Sequence, residues 1–221
     1  MGPEAGKLFY EIVIGKTKAA KDQDHINTIL YGHATMPDRT AAIFNGDDTP
    51  KKLLLEDCKT LEAMGCKAIC VTCNTAHYFV HQFEDELGIP VISLIREAAK
   101  EMGRKFPGGK VAVLATTGTI RTELYQDALK AQGVVPYVPS EEAQEKVMHT
   151  IYDCVKAGKP AEAEVFEYID RELKAEGCNA ALLACTELPI AKRQLGLEDF
   201  YMDPMEIMAE RAIEFMGKEL K

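Results

Sequence analysis

Cys73 and Cys185 stand in settings that repeat. The segment LEAMGCKAICVTCNTAH (61–77) aligns without a gap on LKAEGCNAALLACTELP (173–189) at a constant offset of 112 residues (185 − 73). Leu61 matches Leu173, Ala63 matches Ala175, Gly65 matches Gly177, Cys66 matches Cys178, Ala68 matches Ala180 and Cys73 matches Cys185. Each copy reads helix, glycine turn, apolar strand, cysteine, small polar residue. That order puts a thiol just past the carboxyl end of a parallel strand, the edge of an open α/β sheet where ligands bind. A free thiol titrates near pH 8.5, and a following helix start pulls that value down. Asn74, Thr75 and Thr186 add short polar side chains and backbone N–H groups that suit a carboxylate and the charge that develops when a carbon-bound proton leaves. Two such thiols suit inversion at a carbon acid: one removes a proton from one face and the other returns a proton to the opposite face.

Other readings of the cysteines carry less. Of the seven, Cys58, Cys154 and Cys178 read as space-filling core residues. The spacing Cys66-x3-Cys70-x2-Cys73 matches an iron–sulfur pattern, and with His77 it resembles a zinc set. Cluster ligands must converge from a loop. Cys70 instead lies inside the apolar run Ala68–Val71, where successive side chains point to opposite faces. A pyridoxal or nucleotide cofactor needs a phosphate cradle. In GGKVAVLATTGT the glycines precede the strand, whereas a dinucleotide fold places them after it. No cofactor and no metal are therefore expected.

The elements that must position the thiols alternate along the chain. Helices are expected over residues 3–20, Lys51–Met64, Ala76–Leu87, after Leu94 through Met102, Arg121–Gln132, from Ser140, Pro160–Ala175 and Asp203–Lys221. Strands are expected over Ile26–His33, Lys67–Val71, Pro90–Leu94, Lys110–Ala115 and Asn179–Ala184. Such alternation means βαβ units and a mostly parallel sheet. A weaker echo sets MGPEAGKLFY (1–10) over TGTIRTELYQ (117–126). The second copy follows an apolar strand and the first follows nothing, so equivalence of the halves implies that the first lacks its opening strand: either the chain starts late or that sheet is altered.

The bulk numbers fit two lobes. A chain of 221 residues suits two lobes of about 100 residues each. The expected division is 1–96 with the closing helix 203–221, and 97–202. Net charge of −9 (26 − 35) opposes nucleic-acid binding, which needs a basic face. No apolar run approaches the roughly 18 residues of a membrane helix, and no secretory signal is visible. An odd cysteine count at these spacings points to reduced thiols. A cytoplasmic protein with no membrane partner is expected.

Six segments in order resemble the aspartate/glutamate racemase superfamily, in its aspartate racemase branch: MGPEA (1–5), MPDRTAAI (36–43), CNTAH (73–77), LATTGT (114–119), IYDCVKAG (151–158) and ACTELP (184–189). The resemblance covers nearly the whole chain. It implies an α/β fold of two pseudo-symmetric lobes, each a mostly parallel sheet flanked by helices, with the active site between them, no cofactor and a homodimer. It implies interconversion of L- and D-aspartate, or of glutamate, with a small dicarboxylic amino acid as the partner molecule. By this resemblance Cys73 and Cys185 are the two bases. Asn74, Thr75 and Thr186 hold the α-carboxylate region, with backbone help from Met1, Gly2, Thr117 and Thr119. Arg39 and Lys156 hold the distal carboxylate, which agrees with the ability of a guanidinium to grip a carboxylate twice.

Two further residues are modulating candidates. His77 lies one helical turn past Cys73 and either tunes the thiol or satisfies a core hydrogen bond. Glu187 stands where a glutamate racemase has His, and either acts on Cys185 or is an exposed carboxylate. The chain departs from the family in beginning at the MGPEA loop and in carrying Ala184 where Gly is usual. Related reactions stay open: hydantoin racemases, maleate isomerases and arylmalonate decarboxylases share the architecture, and so would a catalytically silent amino-acid-binding homologue. A decarboxylase needs one cysteine, and the cationic pair suits a dicarboxylate better than a hydantoin.

Overall fold

A computed structural model describes residues 2–221; Met1, a candidate substrate-loop residue, lies outside the described residues. The chain groups into two compact units, Met1–Glu97 with Met205–Lys221, and Ala98–Pro204.

In the second unit the apolar runs become a four-stranded, wholly parallel sheet in the order β2-β1-β3-β4. The strands are β1 (Lys110–Ala115), β2 (Val135–Tyr137), β3 (Ala180–Ala184) and β4 (Tyr201–Met202). β1 and β3 pair from Val111↔Ala180 to Ala115↔Ala184. All of β3 and all but Lys110 of β1 are buried. Strands covered on both faces read as continuous apolar runs, which is why KVAVLA and AALLA show no alternation. Ala112, Leu114, Ala181 and Leu183 pack with Val147, Ile151, Phe166, Ile169 and Leu173 from the covering helices.

Those helices start and stop on local chemistry. α5 is Leu94–Lys105, α6 Thr117–Arg121 and α7 Leu124–Ala131. The single helix expected over Arg121–Gln132 is split because Glu123 takes a left-handed φ of 52°, which breaks the right-handed path. α8 (Glu141–His149) begins at Ser140, whose hydroxyl accepts the Ala143 N–H, as an N-cap should. It then widens into a π segment, Thr150–Val155, which nothing in the sequence announced. α9 is Ala163–Ala175 and α10 Leu188–Leu195.

In the first unit the helices are α1 (Pro3–Lys16), α2 (Arg39–Asn45), α3 (Thr49–Ala63), α4 (His77–Val80) and α11 (Pro204–Phe215). α1 and α11 end sooner than expected. The expected helix Ala76–Leu87 is a four-residue helix followed by a 3₁₀ turn at Glu84–Glu86. The expected strand Ile26–His33 is corrected: these residues belong to no helix or strand, and Asn27, Ile29, Leu30 and Tyr31 make no backbone hydrogen bond among the described residues. The strands expected at Lys67–Val71 and Pro90–Leu94 reduce to one parallel bridge, Ile69↔Val91, in which Ile69 donates to Pro90 and accepts from Ile92.

The physical reason is that neither segment 26–33 nor segment 67–71 has a neighbour completing a ladder among the described residues. In the second unit β1 sits between β2 and β3. In the first unit segments 26–31 and 66–72 instead line an apolar groove of about 210 Å³ together with Leu54, Leu61, Phe9 and Val13. With Ile69 bonded to one side, the N–H and C=O groups of Ala68, Cys70 and Thr72 have no backbone partner among the described residues. Strand conformation without a ladder leaves such groups unpaired.

The internal repeat is visible hydrogen bond by hydrogen bond. Cys66 N–H bonds Leu61 C=O and Gly65 N–H bonds Glu62 C=O; Cys178 N–H bonds Leu173 C=O and Gly177 N–H bonds Lys174 C=O. Both pairs are Schellman closures, and both need a left-handed residue at the turn. Gly65 and Gly177 supply it with φ of 89° and 72°. The same closure at the ends of α3 and α9 launches the extended segments that lead to Cys73 and Cys185.

Candidate active site

The first thiol follows the extended segment 67–72. Cys73 N–H bonds Val71 C=O in a tight three-residue turn, and the chain then enters α4 through Asn74, Thr75 and Ala76. Asn74 and Thr75 are buried and Cys73 is half-buried. His77 is fully buried. Its Nδ1 lies 2.9 Å from the Cys73 carbonyl and its Nε2 accepts the Leu94 N–H at 3.3 Å. An acceptor at Nε2 and a carbonyl at Nδ1 require the neutral Nδ1–H tautomer. Burial pushes the His77 pKa down to about 4, the Cys73 carbonyl opposing it. Both ring nitrogens are thus spent on backbone. His77 positions the Cys73 turn and makes no hydrogen bond to its sulfur.

Arg39 opens α2 after Asp38, whose carboxylate caps the helix at Ala41 N–H, 2.8 Å. Its guanidinium donates to the carbonyls of Met36 (3.1 Å) and Pro37 (2.8 Å), so it braces its own loop while remaining half-buried. Gly2, exposed, is the N-cap of α1 with an extended backbone.

The second thiol ends β3. Cys185 is buried on the strand face shared with Ala181 and Leu183, and its carbonyl accepts Leu188 N–H as the chain turns into α10. Ala184 is fully buried on the opposite face, so its methyl is taken up in the interior. The Cys185 thiol donates to Glu187 Oε2 at 3.0 Å, and the Thr186 hydroxyl reaches the same oxygen at 3.3 Å. Burial holds the Cys185 pKa well above the ordinary thiol value; the Glu187 charge and hydrogen bond add to the rise, and Lys156 opposes it. Cys185 is therefore a protonated thiol at neutral pH. Burial also lifts Cys58, to about 11, with the Asp57 charge adding to it, which fits a packing role.

Lys156 follows the π segment, exposed, with its ammonium 4.2 Å from the Tyr152 ring centre. At the end of β1, Thr116 caps α6: its hydroxyl oxygen accepts Thr119 N–H at 3.2 Å and lies 3.1 Å from the Thr119 hydroxyl. Thr117 N–H points at Met148 Sδ, 3.3 Å. Both backbone donors assigned to substrate thus have partners within the protein, and Thr119 is fully buried.

Sequence reasoning missed Gln144, whose Nε2 holds the Ala115 carbonyl at 2.8 Å. It also missed the buried Tyr125, which lies in the field of both Cys185 and the buried Asp203. No sequence signal marks Gln144 or Tyr125, because each comes from an element far along the chain. Cys66, Cys70 and Cys73 do not form a metal-capable group among the described residues.

Comparisons with known proteins give the family. The family model described as Asp/Glu/Hydantoin racemase matches residues 1–212. The chain is similar to the structure of an aspartate racemase from Picrophilus torridus, with 29% identity, a TM-score of 0.82, and coverage of 100% of this chain and 92% of that one. An aspartate racemase homologue from Pyrococcus horikoshii OT3 gives 25% identity and a TM-score of 0.77, covering 97% and 95%. A broad specificity amino-acid racemase from Bacillus subtilis is 30% identical over 139 residues, 60% of this chain and 59% of its relative. A glutamate racemase from Corynebacterium glutamicum is 30% identical over 131 residues, covering 57% and 45%. The alignments thus span about half the length of these curated relatives. Among the described residues no helix is long and apolar enough to cross a membrane.

Proposed function

Since the chain belongs to the Asp/Glu/Hydantoin racemase family, we propose that it is a cofactor-independent amino-acid racemase acting on aspartate, or on aspartate and glutamate, with Cys73 and Cys185 as its two acid/base groups. In one direction the Cys73 thiolate takes the α-proton and the Cys185 thiol gives its proton to the opposite face of the α-carbon. The turnover ends with Cys73 protonated and Cys185 as thiolate, the state from which the other enantiomer reacts.

The observation that carries this reading is the Cys185–Glu187 hydrogen bond at the end of β3, 3.0 Å long. It holds a proton at one member of a repeated pair of strand-end thiols. Lys156 acts on Cys185 in the opposite sense to Glu187, so a cation stands ready for the thiolate formed when that proton leaves. In this reading Asn74, Thr75 and Thr186 take the α-carboxylate, Lys156 and Arg39 the distal one. Preference for aspartate is supported by the likeness to the P. torridus enzyme, which extends over the whole of this chain.

The test is α-hydrogen exchange in D₂O on L- and D-aspartate and glutamate, with wild type, Cys73→Ser and Cys185→Ser. Racemisation should be lost in both variants, each retaining exchange on one enantiomer only, and aspartate should exchange fastest. Equal racemisation by either variant and wild type excludes the two-thiol mechanism. Binding of aspartate with no exchange in wild type would identify a silent homologue.

A further inference from the structure

Away from the thiol sites, three side chains around the π segment converge on a point. Nε2 of His149 lies 3.6 Å from Sγ of Cys154 and 3.4 Å from Oε1 of Glu162, and that oxygen lies 4.0 Å from the sulfur. A tetrahedral zinc ion, with bonds of about 2.0 Å to nitrogen and oxygen and about 2.3 Å to sulfur, sets its ligands about 3.3 Å (N to O) and about 3.5 Å (to S) apart. Two edges of the observed triangle match to about 0.1 Å, and the third is longer by about half an ångström.

The surroundings favour a metal over a plain ion pair. Nδ1 of His149 lies 3.1 Å from Asp153 Oδ2. A carboxylate at Nδ1 fixes the proton there and leaves the Nε2 lone pair facing Cys154 and Glu162, the arrangement that orients imidazole ligands on zinc. An ion pair would account for His149 between two carboxylates. It leaves unexplained a buried sulfur within reach of the same nitrogen. The π segment explains how they meet: residues five apart lie about 140° round an α-helix, and the wider turn, sealed by Lys156 N–H on Ile151 C=O at 3.0 Å, brings position 154 round towards 149. π segments of this kind mark functional sites more often than chance. The donor set of imidazole, thiolate and carboxylate suits zinc. Thiolate and carboxylate together neutralise a divalent charge, with Lys159 the cation that bears on Cys154.

We propose that His149, Cys154 and Glu162 form a three-ligand site for a thiophilic divalent cation, Zn²⁺ by its donors, with water as the fourth ligand. On binding, the Cys154 S–H bond is replaced by S–Zn and its proton goes to solvent. The ion would tie the π segment to the N-terminus of α9 and so fix the stretch that carries Lys156. The inference is independent of the racemase reading.

Cobalt(II) and zinc titrations of the full chain test it. Co²⁺ should bind one per chain with a thiolate-to-metal charge-transfer absorption that Zn²⁺ abolishes. Cys154→Ser and His149→Asn should each lose the absorption, and Asp153→Asn should weaken binding by about 10–100-fold. Zinc should also shield Cys154 from alkylation, mapped by peptide mass spectrometry in the unmutated protein. Absence of saturable binding, an absorption that persists in Cys154→Ser, or alkylation of Cys154 unchanged by zinc would each overturn the site.

Discussion

Cys185 gives its hydrogen bond to Glu187, two residues further along the same turn, across 3.0 Å. The carboxylate opposes ionisation of the sulfur, so it helps keep the proton in place. Glu187→Gln removes the charge and leaves the burial, which is the larger cause. Alkylation of Cys185, followed by pH in peptide mass spectrometry, should therefore set in at lower pH in Glu187→Gln than in wild type, while staying above the range of an exposed thiol. An unchanged profile would remove Glu187 from any role at this sulfur.

His77 should make the protein acid-sensitive. Its folded pKa of about 4 lies below the ordinary 6.5. A group with a depressed pKa contributes stability above its unfolded value, and that contribution is lost as pH falls through the folded one. Stability should accordingly decline between about pH 6.5 and pH 4 by roughly 3 kcal/mol from this residue. Urea denaturation across that window measures the slope, and His77→Gln should flatten it.

Lys156→Met removes a cation from the Cys185 field and, in the proposed reading, from the substrate's far carboxylate. Loss of one charge-assisted hydrogen bond corresponds to a rise in KM for aspartate of about 10–100-fold. A change in kcat alone would assign Lys156 to the sulfur rather than to binding.

Glu123 joins α6 to α7 with a left-handed φ of 52° and an exposed side chain. Glycine takes that conformation without a steric cost. Glu123→Gly should stabilise the protein by up to about 1 kcal/mol, read as a higher urea midpoint at unchanged slope.

Much of this was written in the residues. KVAVLA and AALLA announced buried parallel strands, and the offset between Cys73 and Cys185 reappeared as matching Schellman turns at Gly65 and Gly177. Ile26–His33 misled because apolar, β-branched residues describe a strand only if a neighbour completes the ladder, and here none does among the described residues. Glu187 and His77 were each an open choice between acting on a thiol and a plain structural place; for His77 this is because which atom a ring nitrogen faces depends on Leu94, 17 residues away. The π segment and the inward turn of Gln144 were invisible, since both depend on packing around β1 and β3.

The bare edges along residues 27–31 and 68–72 also set where the molecule is weakest. Apart from that of Ile69, the amide hydrogens there have no backbone partner among the described residues and trade with deuterium at the rate of a loose chain, while those of β1 and β3 wait for the whole second unit to open. Heating or dilute denaturant will breach the first unit through this seam, and Cys73, a single residue beyond it, will lose its orientation before Cys185 does.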